Sequence, residues 1–397
     1  MKKLLILGAM EMHVPLIKRA KELGIYTITC DYIPENPGHK IADEAHFDST
    51  TDPAAVLRLA KASAIDGIMT YNSDPAAKTV AYVAEKLGLP GNSYESVKTM
   101  SEKDLFRDFL KKKGLNVPEF GKFNTKEEAK RNISKFHFPI IIKPVDASGS
   151  KGCTVLKNTE DLGFAIDCAL EKSRCKRFIV EEYIESVGPQ LHGDGFVKNG
   201  HIEFLCLGDH HFDSSINNIV PYSTTFPTSH SAKEIEACRE QIQSFISKVK
   251  FSNGGFNVEL RISKQNGKPY IIDIGARNGG NFTPKVIEYA TGFNFMDAAI
   301  SVALGKEPPA YKLQNNGFFS YLVLYAKKEG FLKSIEFSKE IESRLLEKHL
   351  YLKSGDHIEK FFGANSAIGV LLLKYESREI MDSIVNGSTN QYKIKMD

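Results

Sequence analysis

Short apolar runs alternate with amphipathic stretches over the first ninety residues of this chain. Leu4-Leu-Ile-Leu-Gly8 reads as a buried strand, Pro15 to Leu23 as a helix, and Tyr26-Thr-Ile-Thr-Cys-Asp31 as a second strand. Ala54 to Ala62 and Gly67-Ile-Met-Thr70 continue the pattern, which predicts a parallel, doubly wound sheet. Leu87-Gly-Leu-Pro-Gly91 then breaks the pattern. Further on, Phe138-Pro-Ile-Ile-Ile-Lys143 is an apolar strand that ends in a lysine. Phe256-Asn-Val-Glu-Leu and Ile271-Ile-Asp-Ile are apolar strands, each interrupted by one acid. Asn266-Gly267 between them is a strong hairpin signal. The composition changes again past Gly305-Lys-Glu-Pro308-Pro309. There Phe318 to Tyr325 and Ala367 to Leu373 read as strands around a helix from Glu340 to His349.

A chain of 397 residues sets an expectation of two to three domains. Its 52 basic and 49 acidic residues leave a net charge of +3, so no global field favours nucleic acid, and no basic stretch is interleaved with aromatics. The six cysteines are scattered without a CxxC pair, which points to reduced thiols. Met1-Lys-Lys-Leu-Leu-Ile-Leu is followed by Glu11 and His13 and by no small-residue cleavage site, and no run approaches a membrane span. A cytoplasmic enzyme without nucleic-acid or membrane partners is the expectation.

Two segments carry the candidate chemistry. After Lys143 the chain enters a small turn, Ser148-Gly149-Ser150-Lys151-Gly152. Such a turn can offer unhindered backbone N–H groups to phosphate oxygens, with Lys143 and Lys151 as flanking point charges. Its spacing is not that of a P-loop, and such a hairpin can also be a plain turn. In the second segment, a hairpin centred on Asn266-Gly267 brings Glu259 and Asp273 together on one face. Two carboxylates at apolar strand positions call for a cation or a proton between them, and Mg²⁺ or Mn²⁺ with substrate phosphates suits that pair. Two solvent-facing carboxylates are the alternative. Gly8 and Asp31 invite comparison with a dinucleotide fold, but Gly8-Ala-Met-Glu-Met-His13 lacks the three glycines of that fingerprint. In His210-His211, strand neighbours point to opposite faces, which argues against zinc.

Together these segments resemble the nucleotide site of the ATP-grasp superfamily, and within it the carboxylate–amine (L-amino-acid) ligases. The resemblance implies an α/β chain in three parts. Residues 1–93 form an N-terminal Rossmann-like parallel-sheet domain, and 94–310 an ATP-grasp domain with a lid subdomain at about 117–185. Residues 311–397 form a small α+β C-terminal domain. It implies that Lys103 and Lys143 are nucleotide lysines and that Ser148 to Gly152 close over the phosphates. Glu181, Glu182, Tyr183 and Ile184 then line the adenine edge. Gln190 stands where the family usually has a ribose-binding Glu. Glu259 and Asp273 take the metal positions, and Arg277 faces the γ-phosphoryl group and the acyl phosphate. Asn278, Gly279 and Gly280 lie beside the substrate, and Gly279 and Gly280 would let an acyl phosphate approach the backbone. Gly275 occupies the place of a common third metal ligand, an Asn, which leaves the number of metal ions open; Asn278 is a substitute in a different register. The stretch from Asp213 to Thr225, with Tyr222 and Thr225, falls where the family builds its acceptor pocket, although an ordinary surface loop is also compatible.

The implied activity is ATP- and Mg²⁺-dependent coupling of a small-molecule carboxylate, activated as an acyl phosphate, to an amine. Lys143 and Arg277 would act in catalysis, and a homodimer is compatible with the resemblance. Two alternatives remain at this level: a bicarbonate-activating carboxylase and a nucleotide-binding protein without catalysis.

Overall fold

The computed structural model describes residues 1–216 and 219–397. The chain begins with β1 (Lys3–Leu7), α1 (Val14–Glu22), β2 (Tyr26–Cys30), β3 (Glu44–His46), α2 (Pro53–Ala62), β4 (Gly67–Met69) and α3 (Asp74–Leu87). The four strands form a parallel sheet in the order β3-β2-β1-β4. β1 lies inside that sheet and is almost wholly buried, so the run after Met1 is core. In this order the connections leave β1 in opposite directions across the sheet. Loops after β1 and β4 therefore flank a crevice at the carboxyl ends of the strands, where such sheets present their loops.

Two short helices, α4 (Tyr94–Ser101) and α5 (Lys103–Lys112), lead into a second body. It contains β5 (Phe120–Phe123), α6 (Lys126–Asn132), β6 (Ile140–Pro144), β7 (Thr154–Leu156), α7 (Leu162–Lys172) and β8 (Phe178–Glu182). Its strands pair antiparallel in the order β5-β8-β6-β7. Ile140, Ile142, Phe178 and Val180 pack against Ala165, Ile166 and Ala169 of α7 to make its small core.

The remainder comprises β9 (Gln190–Lys198), β10 (His201–Phe212), β11 (Pro221–Phe226), α8 (Ala232–Val249), β12 (Gly254–Ile262), β13 (Pro269–Gly275), α9 (Thr283–Thr291), α10 (Phe295–Ala303), β14 (Phe318–Leu324), β15 (Gly330–Phe337), α11 (Lys339–Glu342), β16 (Leu345–Leu350), β17 (His357–Ile358), β18 (Gly369–Tyr375), α12 (Arg378–Asn386) and β19 (Tyr392–Met396). Eight of these strands form one antiparallel sheet, ordered β13-β12-β9-β10-β11-β14-β18-β16. It runs across residue 310, because β14 pairs directly with β11, and β18 and β16 follow β14 in turn. The two-residue period sorts its faces. On one, Leu191, Leu207, Val258 and Leu260 bury against Ile242, Phe245 and Ile246 of α8, whose start is fixed by a Ser231/Glu234 capping box. The opposite face, over β9, β10, β12 and β13, is polar and forms the floor of the site.

Two sequence expectations are corrected here. The helix expected from Glu340 to His349 stops at Glu342, and Leu345–Leu350 is an edge strand paired with β18. Leu-Leu-Glu-Lys-His-Leu has good helix formers, but its burial alternates residue by residue, and pairing with the apolar residues 369–373 of β18 overrides the propensity. The stretch from His210 to Thr225 is largely two paired strands, β10 and β11, rather than one loop. Asn217 and Asn218 of that stretch lie outside the described residues. No helix among the described residues is long and apolar enough to cross a membrane.

Candidate active site

The floor of the site is the hairpin β12–β13 beside β9. The register sets Glu259 directly opposite Asp273, and Glu259 also opposite His192 of β9. Glu259 accepts from Gln190 Nε2 at 2.8 Å, and Gln190 Oε1 accepts from Arg261 Nε at 2.7 Å. Partial burial in the cleft, together with the charge of Asp273, pushes the Glu259 carboxyl up to about 7. A carboxylate raised in this way by a facing carboxylate has unused affinity for a cation. The facing hard oxygens of Glu259 and Asp273 fit a magnesium ion; no group of three or more His, Cys, Asp or Glu among the described residues forms a cage, which suits an ion completed by substrate oxygens.

Three lysines and the turn stand over this floor. Lys103, the first residue of α5, donates to Ala147 O at 2.9 Å and lies 3.7 Å from Asp273. Lys143, near the end of β6, reaches Glu181 at 2.7 Å and is buried. In the turn, Gly149, Ser150 and Gly152 have φ of 65°, 59° and 72°. Positive φ at these three positions makes a tight turn, and backbone N–H groups in such a turn can face a common anion. The Ser150 hydroxyl donates to Ile219 O at 3.0 Å, so the tip touches the segment just before β11. Lys151 is drawn below its ordinary value by burial and by Arg174 and Lys172 close by, a gathering of positive charge at the turn. Ser148, Lys103 and Asp273 share one cleft with Asp74, Lys78 and Arg174.

Behind Lys143, Glu181 is fully buried. Burial alone would raise its carboxyl, but Arg107 and Lys143 overcome that and hold it at about 2. Its side chain is thus committed to cations and not free for an adenine ring. Glu182 turns outward to His137, at 2.8 Å. The N–H groups of Glu182 and Tyr183 are taken by Glu119 O and Pro139 O. Ile184 O accepts from Arg261, whose guanidinium lies over the Tyr183 ring.

The Arg277 loop leaves β13 at the crevice of the parallel sheet. Arg277 pairs with Asp74, the first residue of α3, and its Nη1 donates to Asn278 O at 3.0 Å. A side chain at Gly275 would bring its Cβ within 2.6 Å of Asp74 Oδ1, so the ion pair occupies the space an Asn would need. Asn278 is buried, its N–H donating to Tyr71 O and its side chain to Asp194 at 3.4 Å; it does not reach the Glu259–Asp273 pair. The Gly279 N–H donates to both Asp194 oxygens, at 3.0 and 2.9 Å, so that amide is already used. Gly280 has open space around its backbone.

The polar face holds more than sequence reasoning found. His192 and His210 stack at 4.2 Å between Glu259 and Asp194, both held neutral chiefly by burial. His210 Nδ1 meets Thr224 Oγ1 at 2.6 Å. Thr225 is buried against His211 on the other face, and Tyr222 sits in the apolar core with its hydroxyl on Val385 O. The two-residue period makes Thr224, rather than Thr225, the hydroxyl nearest the floor. Asp74, Arg107, Asp194 and His192 were missed; only the alternation Gln190-x-His192-x-Asp194 signalled a polar strand face.

The sequence between residues 136 and 285 matches the model of the ATP-grasp domain. That match covers the stretch from the lid strands to the start of α9, and over the whole chain the fold is shared with solved enzymes. An L-amino acid ligase from Bacillus licheniformis superposes over 100% of this chain and 99% of its own, with a TM-score of 0.84 at 21% identity. Phosphoribosylglycinamide synthetase from Anaerococcus prevotii covers 100% of both chains, with a TM-score of 0.78 at 24% identity. Among curated relatives, the formate-dependent phosphoribosylglycinamide formyltransferase of Prochlorococcus marinus is 28% identical over 187 residues, 46% of this chain and 48% of that protein. The chain thus spans about half the length of that relative.

Proposed function

We propose that this protein is an ATP-dependent ligase that activates a small carboxylate as an acyl phosphate and couples it to an amine, with ADP and phosphate released. The observation that supports it most is the Glu259–Asp273 register pair facing Lys103, Lys143 and the turn of Ser148 to Gly152 across one cleft. A Mg²⁺ ion between Glu259 and Asp273 would offset charge on the phosphate oxygens.

ATP lies between the lid sheet and the eight-stranded sheet, its adenine near Tyr183 and Ile184. Lys143 has a carboxylate behind it and the cleft before it, so it can turn a hydrogen bond toward phosphate without leaving Glu181 unpaired, since Arg107 remains there. A carboxylate oxygen of the substrate attacks the γ-phosphorus, the bond to the bridging oxygen breaks and ADP departs. Lys143 and Arg277 stabilise the charge developing on the transferring group. The amine nitrogen then attacks the acyl carbon, phosphate leaves, and the lid keeps out water that would hydrolyse the intermediate.

ADP release measured against a matrix of carboxylates and amines tests this reading. Turnover that needs both an acid and an amine supports it. Turnover with bicarbonate and no amine would instead favour a carboxylase, and tight nucleotide binding without turnover a binding protein.

A further inference from the structure

Arg107 is the largest side chain with no exposure among the described residues, and beyond keeping Glu181 paired it has no role in the reading above. It sits one turn after Lys103 on α5. Its Nε donates to Glu181 Oε1 at 2.6 Å and its Nη2 to Glu181 Oε2 at 3.3 Å. The same guanidinium donates from Nη1 to Ile271 O at 3.1 Å and from Nη2 to Ile272 O at 2.7 Å. One planar fork therefore joins a lid strand, β8, to the hairpin strand β13.

The two carbonyls explain why an arginine is needed. Glu259 pairs with Asp273 but the next residue, Leu260, pairs with Ile271, so Ile272 is an extra residue in β13. Successive carbonyls of a regular strand point to opposite edges, whereas a bulge breaks that alternation and re-aims the neighbouring side chain. β13 is the edge strand of its sheet, so carbonyls turned outward have no strand partner. Arg107 takes both. The residue immediately after the bulge is Asp273. At its other end the fork holds Glu181, which in turn holds Lys143 at 2.7 Å. A lysine has three donors on a single nitrogen and could not reproduce the four bonds that the guanidinium makes from three separate nitrogens.

We propose that Arg107 is a positioning residue that sets the aim of Asp273 and the place of Lys143 at once, tying the lid to the metal-binding hairpin. This rests on the nucleotide reading above. It follows that nucleotide affinity, and its enhancement by magnesium, both depend on a side chain that touches neither.

The test is ADP binding with and without Mg²⁺, by calorimetry, in the full chain. Arg107→Lys should raise the dissociation constant for ADP with Mg²⁺ about tenfold or more and shrink the gain that Mg²⁺ gives. In an Asp273→Asn background the same change should leave the Mg²⁺ gain unaltered, because its target is already gone; a general loosening of the fold would act equally in both backgrounds. If Arg107→Lys does not fold, Arg107→Gln is the second variant: it keeps a donor in place and leaves Glu181 paired with Lys143. It should show the same loss. Wild-type affinity and Mg²⁺ gain in either folded variant would overturn the inference. Absence of ADP binding by the unaltered protein would overturn the nucleotide reading on which it rests.

Discussion

Asp74→Asn is a sharp probe of how Arg277 is held. Asp74 belongs to the parallel-sheet region, 203 residues from its partner, and begins α3 beside the crevice. Among the described residues the Arg277 guanidinium is held by Asp74 and Asn278 O, and its buried Nε has no hydrogen-bond partner. Side-chain exposure is 13% for Arg277 and 25% for Asp74, so the pair is shielded but not sealed. A hydrogen bond to a charged group contributes about 1.5–3 kcal/mol, and the partial exposure of Asp74 argues for roughly 1–2 kcal/mol here. If that loss is felt wholly in the transition state, turnover falls about 5- to 30-fold. Asn keeps the size of the side chain and suits a helix start, so the unfolding midpoint should move little. The assay is ADP release with several acids, compared with Arg277→Lys and with the double variant. The drop should be equal for every acid, and Asp74→Asn should add little once Arg277 is changed. Wild-type turnover in folded Asp74→Asn, or full additivity with Arg277→Lys, would refute the idea that this ion pair orients Arg277.

Two further outcomes follow from buried groups elsewhere. Glu259→Gln and Asp273→Asn should each fold normally and lower Mg²⁺-dependent turnover by on the order of 10²-fold, since both would act on transition-state charge; near-wild-type rates in both, measured by ADP release, would remove the metal assignment. His13 is fully buried with neither ring nitrogen partnered among the described residues, and burial lowers its pKa to about 4 against the ordinary 6.5. The unfolded chain therefore takes up a proton first, and this contribution to stability is present above pH 6.5 and lost as pH falls through 4, by about 3 kcal/mol. Asp194, raised to about 6 by burial, acts in the opposite sense between pH 6 and 3.8, so only the difference between His13→Leu and wild type isolates His13. Urea unfolding across that range should show a flatter acid limb for His13→Leu, and parallel limbs would contradict it.

Much of this architecture was legible in the chain because it rests on local signals. The parallel-sheet strands and helices are short apolar runs with clear breaks, and Asn266-Gly267 announces the hairpin that sets Glu259 against Asp273. What was not legible depends on tertiary partners. Leu345 to Leu350 has helical propensity and becomes a strand only because β18 offers an edge. Arg107 looks like one more charge on an amphipathic helix until Glu181 and the bulged carbonyls are in place. Gly275 reads as a missing ligand, and only the approach of Asp74 shows why nothing larger fits. The roles of Gln190 and Glu181 shifted for the same reason: each is engaged by an arginine, Arg261 or Arg107, from a distant segment.

The central claim, that a carboxylate is activated on ATP through an acyl phosphate, is most directly tested by following the carboxylate oxygens. The protein, ATP and Mg²⁺ are incubated with acids labelled with ¹⁸O in the carboxyl group, together with an amine, and the released phosphate is examined by mass spectrometry. The account predicts one labelled oxygen in each phosphate formed with the productive acid. Unlabelled phosphate alongside stoichiometric ADP would contradict it.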